Sequence, residues 1–451
     1  MNGQVENWTN PSVKKLAGKD DPIRAITQRA REVVLAAMDS GWSGPPFDPL
    51  ALSDLLNLRT APRADIPDAR TVPEGNGLCI EYNPSRPRGR VRYSIAHEIA
   101  HTLFPDCSDQ IRNRVPRHAM AGDDWQLEML CNIAAAEFLM PIGSLGTVRQ
   151  EDLNIDRILE LRKKYDVSTE AVLLRAVHAT DAPCAAFSAS KVEAGPNQGD
   201  FFVEYVIPSC DWKPPISKGK LLSGSHVLRQ CSAIDFTAKG SEQIGTETVR
   251  TECVGIPPYP GSSFPRIAGI LTTELQRSIG PRITFLKGDA TCPTAKGKKI
   301  VAHIVNDATP NWGGHGFAQA VKRKWPEAQE TFRKWVQEDP ERLSLGNMHI
   351  VDVDPETAIA SMVCQKGYGS SPKTRLRYFA LETCLRHLNQ IAAERLASIH
   401  LPRIGSGQAG GSWFLVQELI TNVLLSEKAP VFVYELPYAK EKFEDQNQLQ
   451  F

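Results

Sequence analysis

The sequence feature that most restricts the possible folds is the pentapeptide His97–His101, which has the form HExxH. Residues four apart on an α-helix lie on one face, so both imidazoles can reach a single metal ion, and neutral imidazole suits Zn²⁺. Glu98 then stands beside the open coordination position, where it can take a proton from water activated by the metal. Ile95 and Ile99 can pack this helix into a core, which gives the motif its required context.

A third ligand is expected from a second helix, predicted from Trp125 to Met140. Glu128 is the candidate, because the residues three and four positions later, Cys131 and Asn132, make a face small enough to pack closely on the histidine helix. Glu137 is the rival acid, but it lies nine positions further on and therefore on the opposite face. We expect Cys131 to be a core thiol rather than a ligand.

These motifs resemble the ImmA/IrrE family of zinc metallopeptidases. The resemblance rests on RYSIAHEIAHTLF, on the Glu-x-x-Cys-Asn segment Glu128–Asn132 and on the following AAAEFLMP. It implies a helical, zincin-like domain over residues 25–181, in which His97, His101 and Glu128 bind zinc and Glu98 is the catalytic base. Family members typically cleave a helix-turn-helix repressor. No such motif is evident at either end of this chain, so the substrate is expected to be a separate protein.

The length and charge of the chain bound the remaining possibilities. At roughly 100–200 residues per domain, 451 residues predict two to four domains. Lys plus Arg and Asp plus Glu both number 52, and the resulting zero net charge argues against direct nucleic-acid binding. No apolar run approaches the ~20 residues of a membrane helix. The ten cysteines contain no CxxC pair, which is typical of a cytoplasmic protein with reduced thiols.

The pattern of elements divides the chain into five parts, a multidomain combination of α+β and α/β architecture. Residues 1–24 are polar and expected to be loosely ordered, and they precede the peptidase domain at 25–181. Residues 182–275 are β-rich and would match the second module, sometimes GAF-like, that some family members carry. Residues 283–438 alternate strands with helices, including one long helix at AQAVKRKWPEAQETFRKWVQ, and predict a three-layer α/β/α domain. A polar tail follows at 439–451.

Loops after the strands of the 283–438 domain carry its chemical signal. Glycine-rich loops that lead into helices can present backbone N–H groups to a diphosphate. An acid after the first strand can accept a hydrogen bond from an exocyclic amine. The candidate ligand residues in these loops are Asp289, Asn306, Gly313, Gly314, His315, Gly316, Phe317, Gly405, Ser406, Gly407, Gln408, Ala409 and Gly410.

This set of loops resembles a macro domain, a module that binds ADP-ribose and its derivatives. The resemblance implies that Asp289 contacts the adenine amino group and that the two glycine loops hold the diphosphate and distal ribose. Phe317 would contact that ribose or belong to the core, and His315 would transfer protons or simply be exposed. The pattern is closest to the branch of terminal ADP-ribose protein glycohydrolase. Lys366 approximately matches the catalytic lysine of that branch, but Ala409 stands where its aspartate is expected, which favours binding without turnover.

The leading hypothesis is a zinc endopeptidase that cleaves a regulator protein under the control of an ADP-ribose-type nucleotide, in a stress or phage-defence setting. An alternative is an ADP-ribose-processing hydrolase whose N-terminal half serves targeting or regulation. A third possibility is a non-catalytic protein with structural zinc. Structural zinc usually has four protein ligands, and no fourth is obvious in the sequence.

Overall fold

The computed structural model describes two compact units, residues 1–278 and 279–451. The boundary expected at 181/182 lies inside the first unit. The polar tail 439–451 lies outside the described residues. The residues described are 8–75, 77–107, 112–113, 123–145, 153–180, 182–209, 212–245, 247–258, 262–273, 283–369, 371, 373–424 and 429–436.

The expectation of a loosely ordered start is wrong for residues 8–24. Helix α1 spans Pro11–Ala17, and the Asn10 side chain caps it by accepting from the amides of the second and third residues that follow. Val13 and Leu16 are buried. The Asn10 amide donates to Gln126 Oε1 at 2.9 Å, which ties the segment to a helix more than a hundred residues later. A buried apolar face and a long-range hydrogen bond, which polar composition conceals, therefore order this segment.

The HExxH helix lies on a small mixed sheet. Helix α4 (Arg88–His101) packs on the central strands of this sheet and against helix α5 (Asp124–Leu139), as the sequence predicts. The strand order is β1-β3-β2-β4, with β1 parallel to β3 and the other pairs antiparallel. The remaining elements of this part are α2 (Pro22–Asp39), α3 (Pro49–Leu55), β1 (Arg59–Pro62), β2 (Ala69–Glu74), β3 (Gly77–Tyr82) and β4 (Arg112–Asn113).

A six-stranded antiparallel sheet follows two further helices. Its order is β7-β6-β5-β10-β9-β8, so the first and last long strands pair at its centre. The elements are α6 (Ile155–Tyr165), α7 (Thr169–Ala179), β5 (Cys184–Lys191), β6 (Phe201–Pro208), β7 (Leu221–Leu222), α8 (His226–Gln230), β8 (Thr237–Ile244), β9 (Glu247–Ile256) and β10 (Arg266–Thr273).

An ion pair joins this sheet to α7, and a hydrogen bond joins it to α6. Arg266 on β10 contacts Glu170 on α7 at 2.8 Å and Glu204 on β6 at 2.7 Å, and its side chain is only 8% exposed. The Glu252 carboxylate on β9 accepts from the Ile155 amide at 3.0 Å and so satisfies a free N–H at the start of α6. The sheet therefore packs directly on helices α6 and α7.

The second unit is built on one mixed sheet of order β11-β16-β15-β12-β14-β13. All neighbouring pairs are parallel except β13–β14. The elements are β11 (Ile283–Lys287), β12 (Lys299–Asn306), α9 (Gly316–Lys324), α10 (Pro326–Glu338), β13 (Met348–Asp352), β14 (Thr357–Gln365), α11 (Tyr378–Arg395), β15 (Ser398–Pro402), α12 (Trp413–Leu424) and β16 (Val431–Glu435). The strand–helix alternation of the sequence is confirmed.

The prediction of one long helix in this unit is wrong. Helix α9 ends at Lys324 and α10 begins at Pro326. Proline lacks a backbone N–H and disfavours helical geometry in the residue before it, and Trp325 has the non-helical angles φ −133° and ψ 75°. The apolar periodicity continues across this break and hides it.

Two histidines lie inside the sheet of the second unit. The ring of His303 meets Trp312 edge-on at 4.7 Å, and burial lowers the pKa of His303 to about 3. His400 stacks on Phe432 at 4.8 Å, and burial lowers its pKa to about 4. Both are therefore neutral core residues at pH 7.

Among the described residues, no helix combines the length and apolar character needed to cross a membrane.

Candidate functional sites

Helices α4 and α5 bring four ionisable side chains together in the interior. His97, Glu98 and His101 on α4 are at most 1% exposed, and Glu128 on α5 is 4% exposed. The Glu128 carboxylate approaches both imidazoles, with Oε2 3.1 Å from His97 Nε2 and Oε1 3.7 Å from His101 Nε2. The two Nε2 atoms and one carboxylate therefore face the same point.

Helix α5 also supplies partners for the other ring nitrogens. The Asn132 side-chain oxygen lies 3.0 Å from His97 Nδ1, and Cys131 Sγ lies 3.4 Å from His101 Nδ1. Asn132 Oδ1 can only accept, so His97 Nδ1 donates to it and Nε2 is the ring nitrogen that faces Glu128. Such partners fix the tautomer and orientation of metal-binding histidines. Tyr93 OH donates to the same Asn132 oxygen.

Two sets of donor atoms are available for a metal. One ligand atom from each of His97, His101 and Cys131 lies within 4.8 Å of the others, which makes a possible His/His/Cys group. The second set replaces the thiol by Glu128. Cys131 Sγ lies at Nδ1 of His101 whereas Glu128 lies at Nε2, so an ion held by both Nε2 atoms has the carboxylate beside it. His97 Nε2 is buried, and apart from its 3.1 Å approach to the Glu128 carboxylate it makes no well-oriented hydrogen bond within the described residues, which fits a nitrogen that faces a metal.

Glu98 is held by a residue that sequence reasoning missed. Thr71 on β2 is 1% exposed, and its hydroxyl donates to Glu98 Oε2 at 2.8 Å. The hydroxyl thus fixes one carboxylate oxygen of Glu98. Thr71 is 27 residues away in sequence and on a strand, so no spacing rule connects it with the motif.

Glu137 lies elsewhere, in the place that its helical position predicts. Its Oε1 accepts from the Ile142 amide at 2.9 Å, and its Oε2 pairs with Arg175 at 3.2 Å. This acid therefore stabilises the end of α5 and its contact with α7.

In the second unit, the candidate loops follow strands that run in the same direction. Strands β11, β16, β15, β12 and β14 are parallel, so their carboxyl ends lie on one edge of the sheet. Asp289 follows β11, Asn306 ends β12, and the loop 405–411 follows β15, which pairs with β12. We call this the ligand edge. An edge at the carboxyl ends of parallel strands is the usual place for ligands in open α/β sheets.

The side chains at the ligand edge differ in how exposed they are and in how many of their polar atoms already form hydrogen bonds. Asp289 is exposed, and its Oδ1 accepts from the Thr291 amide at 2.9 Å. Asn306 is 8% exposed and accepts from the amides of Ala308 and Thr309, so its oxygen shapes the turn. His315 is exposed together with Gly313, Gly314 and Gly316.

Phe317 is half-buried and packs against the core cluster of β12, β14 and α10, with its ring 6.3 Å from His303. It is therefore at least partly a core residue.

The second glycine loop closes on itself. The Gly411 amide donates to the Gly405 carbonyl at 2.8 Å, and a Cβ at Gly411 would lie 2.4 Å from the Leu376 side chain. Ala409 is 3% exposed, and its carbonyl accepts from the amides of Arg375 and Leu376. Gly407 and Gln408 are exposed at the loop tip, and Ser406 donates to the Arg403 carbonyl.

An ion pair that sequence reasoning missed lies at the same edge. Lys366 Nζ is 2.9 Å from Asp307 Oδ2, and the Gly367 amide donates to Asp307 Oδ1 at 2.7 Å. Asp307 directly follows β12 and Lys366 directly follows β14. The parallel pairing of these two strands brings the lysine and the acid together.

Comparisons with known proteins find one matching family model and several relatives that are similar over part of the chain. Residues 58–177 match the family model of the IrrE N-terminal-like domain, Peptidase_M78. The chain is 30% identical over 117 residues to the radiation response metalloprotease IrrE of Deinococcus radiodurans, covering 26% of this chain and 35% of that protein. It is 27% identical over 166 residues to the chromodomain-helicase-DNA-binding protein 1-like of Mus musculus, covering 35% of this chain and 18% of that protein.

Among solved structures, a macrodomain protein from Streptomyces coelicolor is 39% identical, covering 34% of this chain and 99% of that chain with a TM-score of 0.30. The chain spans only 35% and 18% of the two curated relatives named above. Residues 58–177 therefore match an IrrE-like metallopeptidase domain, whose family implies a metal. Macrodomain proteins are among the solved structures that are similar over part of this chain.

Proposed function

We propose that this protein is a cytoplasmic zinc-dependent endopeptidase that cleaves a separate regulator protein. The observation that carries the proposal is the pairing of α4 with α5. One face of α5 provides Glu128 to both Nε2 atoms and provides Asn132 and Cys131 to the two Nδ1 atoms. Two histidines, one carboxylate and two orienting partners match the donor set of a catalytic zinc site.

In this proposal His97 Nε2, His101 Nε2 and Glu128 hold the zinc. When bound, zinc polarises the scissile carbonyl and makes water a better nucleophile at neutral pH. Glu98 takes the proton of the attacking water and delivers it to the leaving amine. Thr71 keeps the Glu98 carboxylate in one orientation through its 2.8 Å hydrogen bond, and thus acts as a positioning residue.

The proposed substrate is a helix-turn-helix repressor supplied as a separate chain. Proteins encoded by neighbouring genes are the natural candidates to incubate with the purified protein. We expect one of them to be cut, the cut to disappear with 1,10-phenanthroline, and activity to return with added zinc. Cleavage that persists in the chelator would contradict a metal-dependent peptidase.

We further propose that residues 283–438 form a macro domain with three layers that binds an ADP-ribose-type nucleotide at the ligand edge. The exposed Asp289 offers a carboxylate to an exocyclic amine. The two glycine loops lead into helices and offer backbone N–H groups to a diphosphate. Residues 182–275 correspond in this proposal to the second module, sometimes GAF-like in fold, that some family members carry, and they serve a structural function.

Asp289→Ala is expected to weaken ADP-ribose binding by about 10- to 100-fold, the value of a hydrogen bond to a charged group. Isothermal titration calorimetry of the full chain measures the change. Asp352→Ala is the matched control, because β13 is antiparallel and ends at the opposite edge of the sheet. Equal affinity in wild type and Asp289→Ala would contradict the assignment of the adenine end.

Gly411→Ala and Gly407→Ala are expected to show whether the second glycine loop affects stability, through its closure, or nucleotide affinity, through contact with the ligand. A Cβ at Gly411 meets Leu376 and the Gly405 carbonyl, so this variant should lose about 1–3 kcal/mol of stability in addition to nucleotide affinity. A Cβ at Gly407 has nothing within 4 Å, so its stability should stay within about 0.5 kcal/mol. Unchanged ADP-ribose affinity in both variants, measured by calorimetry, would exclude this loop from the site.

Control of the peptidase by the nucleotide is part of the proposal. We expect ADP-ribose to change the cleavage rate in wild type but not in Asp289→Ala. Equal cleavage rates with and without ADP-ribose in both proteins would contradict control of the peptidase by the nucleotide.

The Lys366–Asp307 pair favours a second candidate function, hydrolysis of an ADP-ribose derivative, because Asp307 supplies an acid that Ala409 cannot. Release of free ADP-ribose from a modified protein, lost in Lys366→Ala, would support this alternative.

A further inference from the structure

Two cysteine thiols touch each other in the antiparallel sheet of the first unit, apart from the metal centre. Cys231 Sγ and Cys253 Sγ are 3.3 Å apart, and the two residues are 3% and 0% exposed. They belong to the apolar core of this sheet, and neither takes part in the peptidase chemistry proposed above. A disulfide has an S–S length of about 2.05 Å, so the sulfurs lie little more than an ångström from bonding distance.

The backbone around the pair fixes this approach. Cys253 lies on β9 opposite Ala238 of β8, and Cys231 directly follows α8. The segment after Cys231 is bound to β9 by hydrogen bonds from Asp235 N to the Gly255 carbonyl and from Gly255 N to the Phe236 carbonyl. A Cβ at Gly255 would lie 2.0 Å from the Ala233 carbonyl oxygen, so only glycine allows the segment to lie this close.

Helix α8 is also held close to the sheet. A Cβ at Gly240 on β8 would lie 2.7 Å from the Val227 side chain, so a glycine again permits the contact. Both ends of the segment that carries Cys231 are therefore packed against the strand pair β8–β9. The two thiols therefore meet because the packing of α8 and of the following segment holds them next to each other.

The two thiols are not equivalent. A hydrogen bond from the Cys253 thiol, together with backbone hydrogen bonds at Ala238 and Gly255, lowers the pKa of Cys231 despite its burial. The same thiol contact, burial and the nearby Glu242 carboxylate raise the pKa of Cys253. Since the thiolate is the nucleophile, Cys231 is suited to react first and Cys253 to resolve the product.

We propose that Cys231 and Cys253 are a site of reversible oxidation that forms a disulfide with hydrogen peroxide or a similar small peroxide. The Cys231 thiolate attacks one peroxide oxygen and breaks the O–O bond, giving a sulfenic acid and hydroxide. The Cys253 thiol then gives up its proton, and its sulfur attacks the Cys231 sulfur. This step breaks the S–O bond of the sulfenic acid and releases its oxygen as water. Two thiols lose two electrons in total, and one peroxide becomes two waters.

The disulfide would join the end of α8 to β9. Glu252, the neighbour of Cys253 on β9, accepts a hydrogen bond from the Ile155 amide at the start of α6. The cross-link therefore lies one residue from a contact between β9 and α6. The expected physical effect is a stiffer β8–β9 pair, measurable as a higher melting temperature of the oxidised protein.

Peptide mapping of the peroxide-treated full chain tests the proposal. The protein is treated with a small excess of hydrogen peroxide, blocked with N-ethylmaleimide, digested and analysed by mass spectrometry. We expect a cross-linked Cys231–Cys253 peptide, a loss of two titratable thiols per chain and full recovery with dithiothreitol. Oxidation of the exposed Cys292 without any Cys231–Cys253 cross-link would overturn it.

Two variants sharpen the result. Cys253→Ser removes the resolving thiol and should leave a sulfenic acid at Cys231 that dimedone labels. Cys79→Ser is the matched control, because Cys79 is also buried but lies on β3, and it should form the cross-link as wild type does. Should Cys253→Ser fail to fold, the wild-type map decides by itself. Absence of dimedone label in a folded Cys253→Ser protein would contradict the role of Cys231.

Discussion

Glu98→Gln is expected to lower the rate of substrate cleavage by about 10²–10⁴-fold, the usual contribution of a general base. Glutamine has nearly the same shape and can still accept the Thr71 hydrogen bond, but it cannot take a proton from water. The metal donors do not include Glu98, so zinc content and melting temperature should stay close to those of wild type. Initial rates on the identified substrate, with zinc measured by mass spectrometry, give both quantities.

The matched control is Glu160→Gln, the same substitution at a carboxylate on α6 that is 67% exposed and pairs only with its neighbour Arg157 within the described residues. It should retain the full rate. A Glu98→Gln protein that cleaves at the wild-type rate would remove Glu98 from the chemistry. A Glu98→Gln protein that loses zinc as well as activity would show that this acid supports the metal instead.

Glu128→Gln is expected to lower zinc affinity by more than about 100-fold, because residues that only orient a ligand already contribute about 10–100-fold. The amide is neutral and a poorer donor than the carboxylate that approaches both Nε2 atoms. Bound metal also stabilises the fold, by about 4 kcal/mol when free zinc is about a thousand times the dissociation constant. The variant should therefore melt at a lower temperature in zinc-containing buffer and respond little to a chelator.

Two further variants calibrate this result. Cys131→Ser keeps a hydrogen-bonding group at His101 Nδ1 and should change zinc affinity by less than about 10-fold. Asn132→Ala removes the acceptor at His97 Nδ1 and should fall between the two, at about 10- to 100-fold. The reverse order, with Cys131→Ser losing zinc and Glu128→Gln retaining it, would favour the His/His/Cys donor set.

The sequence predicts the parts of the metal centre that depend on helical spacing. His97 and His101 share a face of α4 by the i, i+4 rule, and Glu128 shares a face of α5 with Cys131 and Asn132. The structure adds which ring nitrogen each of these residues meets, because that depends on how the two helices pack. Thr71 and Tyr93 are missed for the same reason, since tertiary packing alone brings them to Glu98 and Asn132.

The other structural features that the sequence does not predict have equally specific causes. Helix α1 is hidden by polar composition, although its two buried residues and the Gln126 contact order it. The break at Trp325–Pro326 is hidden because the apolar pattern continues through it. Cys231 and Cys253 are 22 residues apart with no motif between them, and the packing of α8 and the segment after it against β8 and β9 brings them into contact.

X-ray absorption at the zinc edge tests the metal centre most directly. The protein is loaded with one equivalent of zinc, and the first coordination shell is fitted for nitrogen, oxygen and sulfur. The Nε2 atoms of His97 and His101 together with Glu128 predict only nitrogen and oxygen neighbours at about 2.0–2.2 Å. A sulfur neighbour at about 2.3 Å would make Cys131 a ligand and contradict the proposed centre.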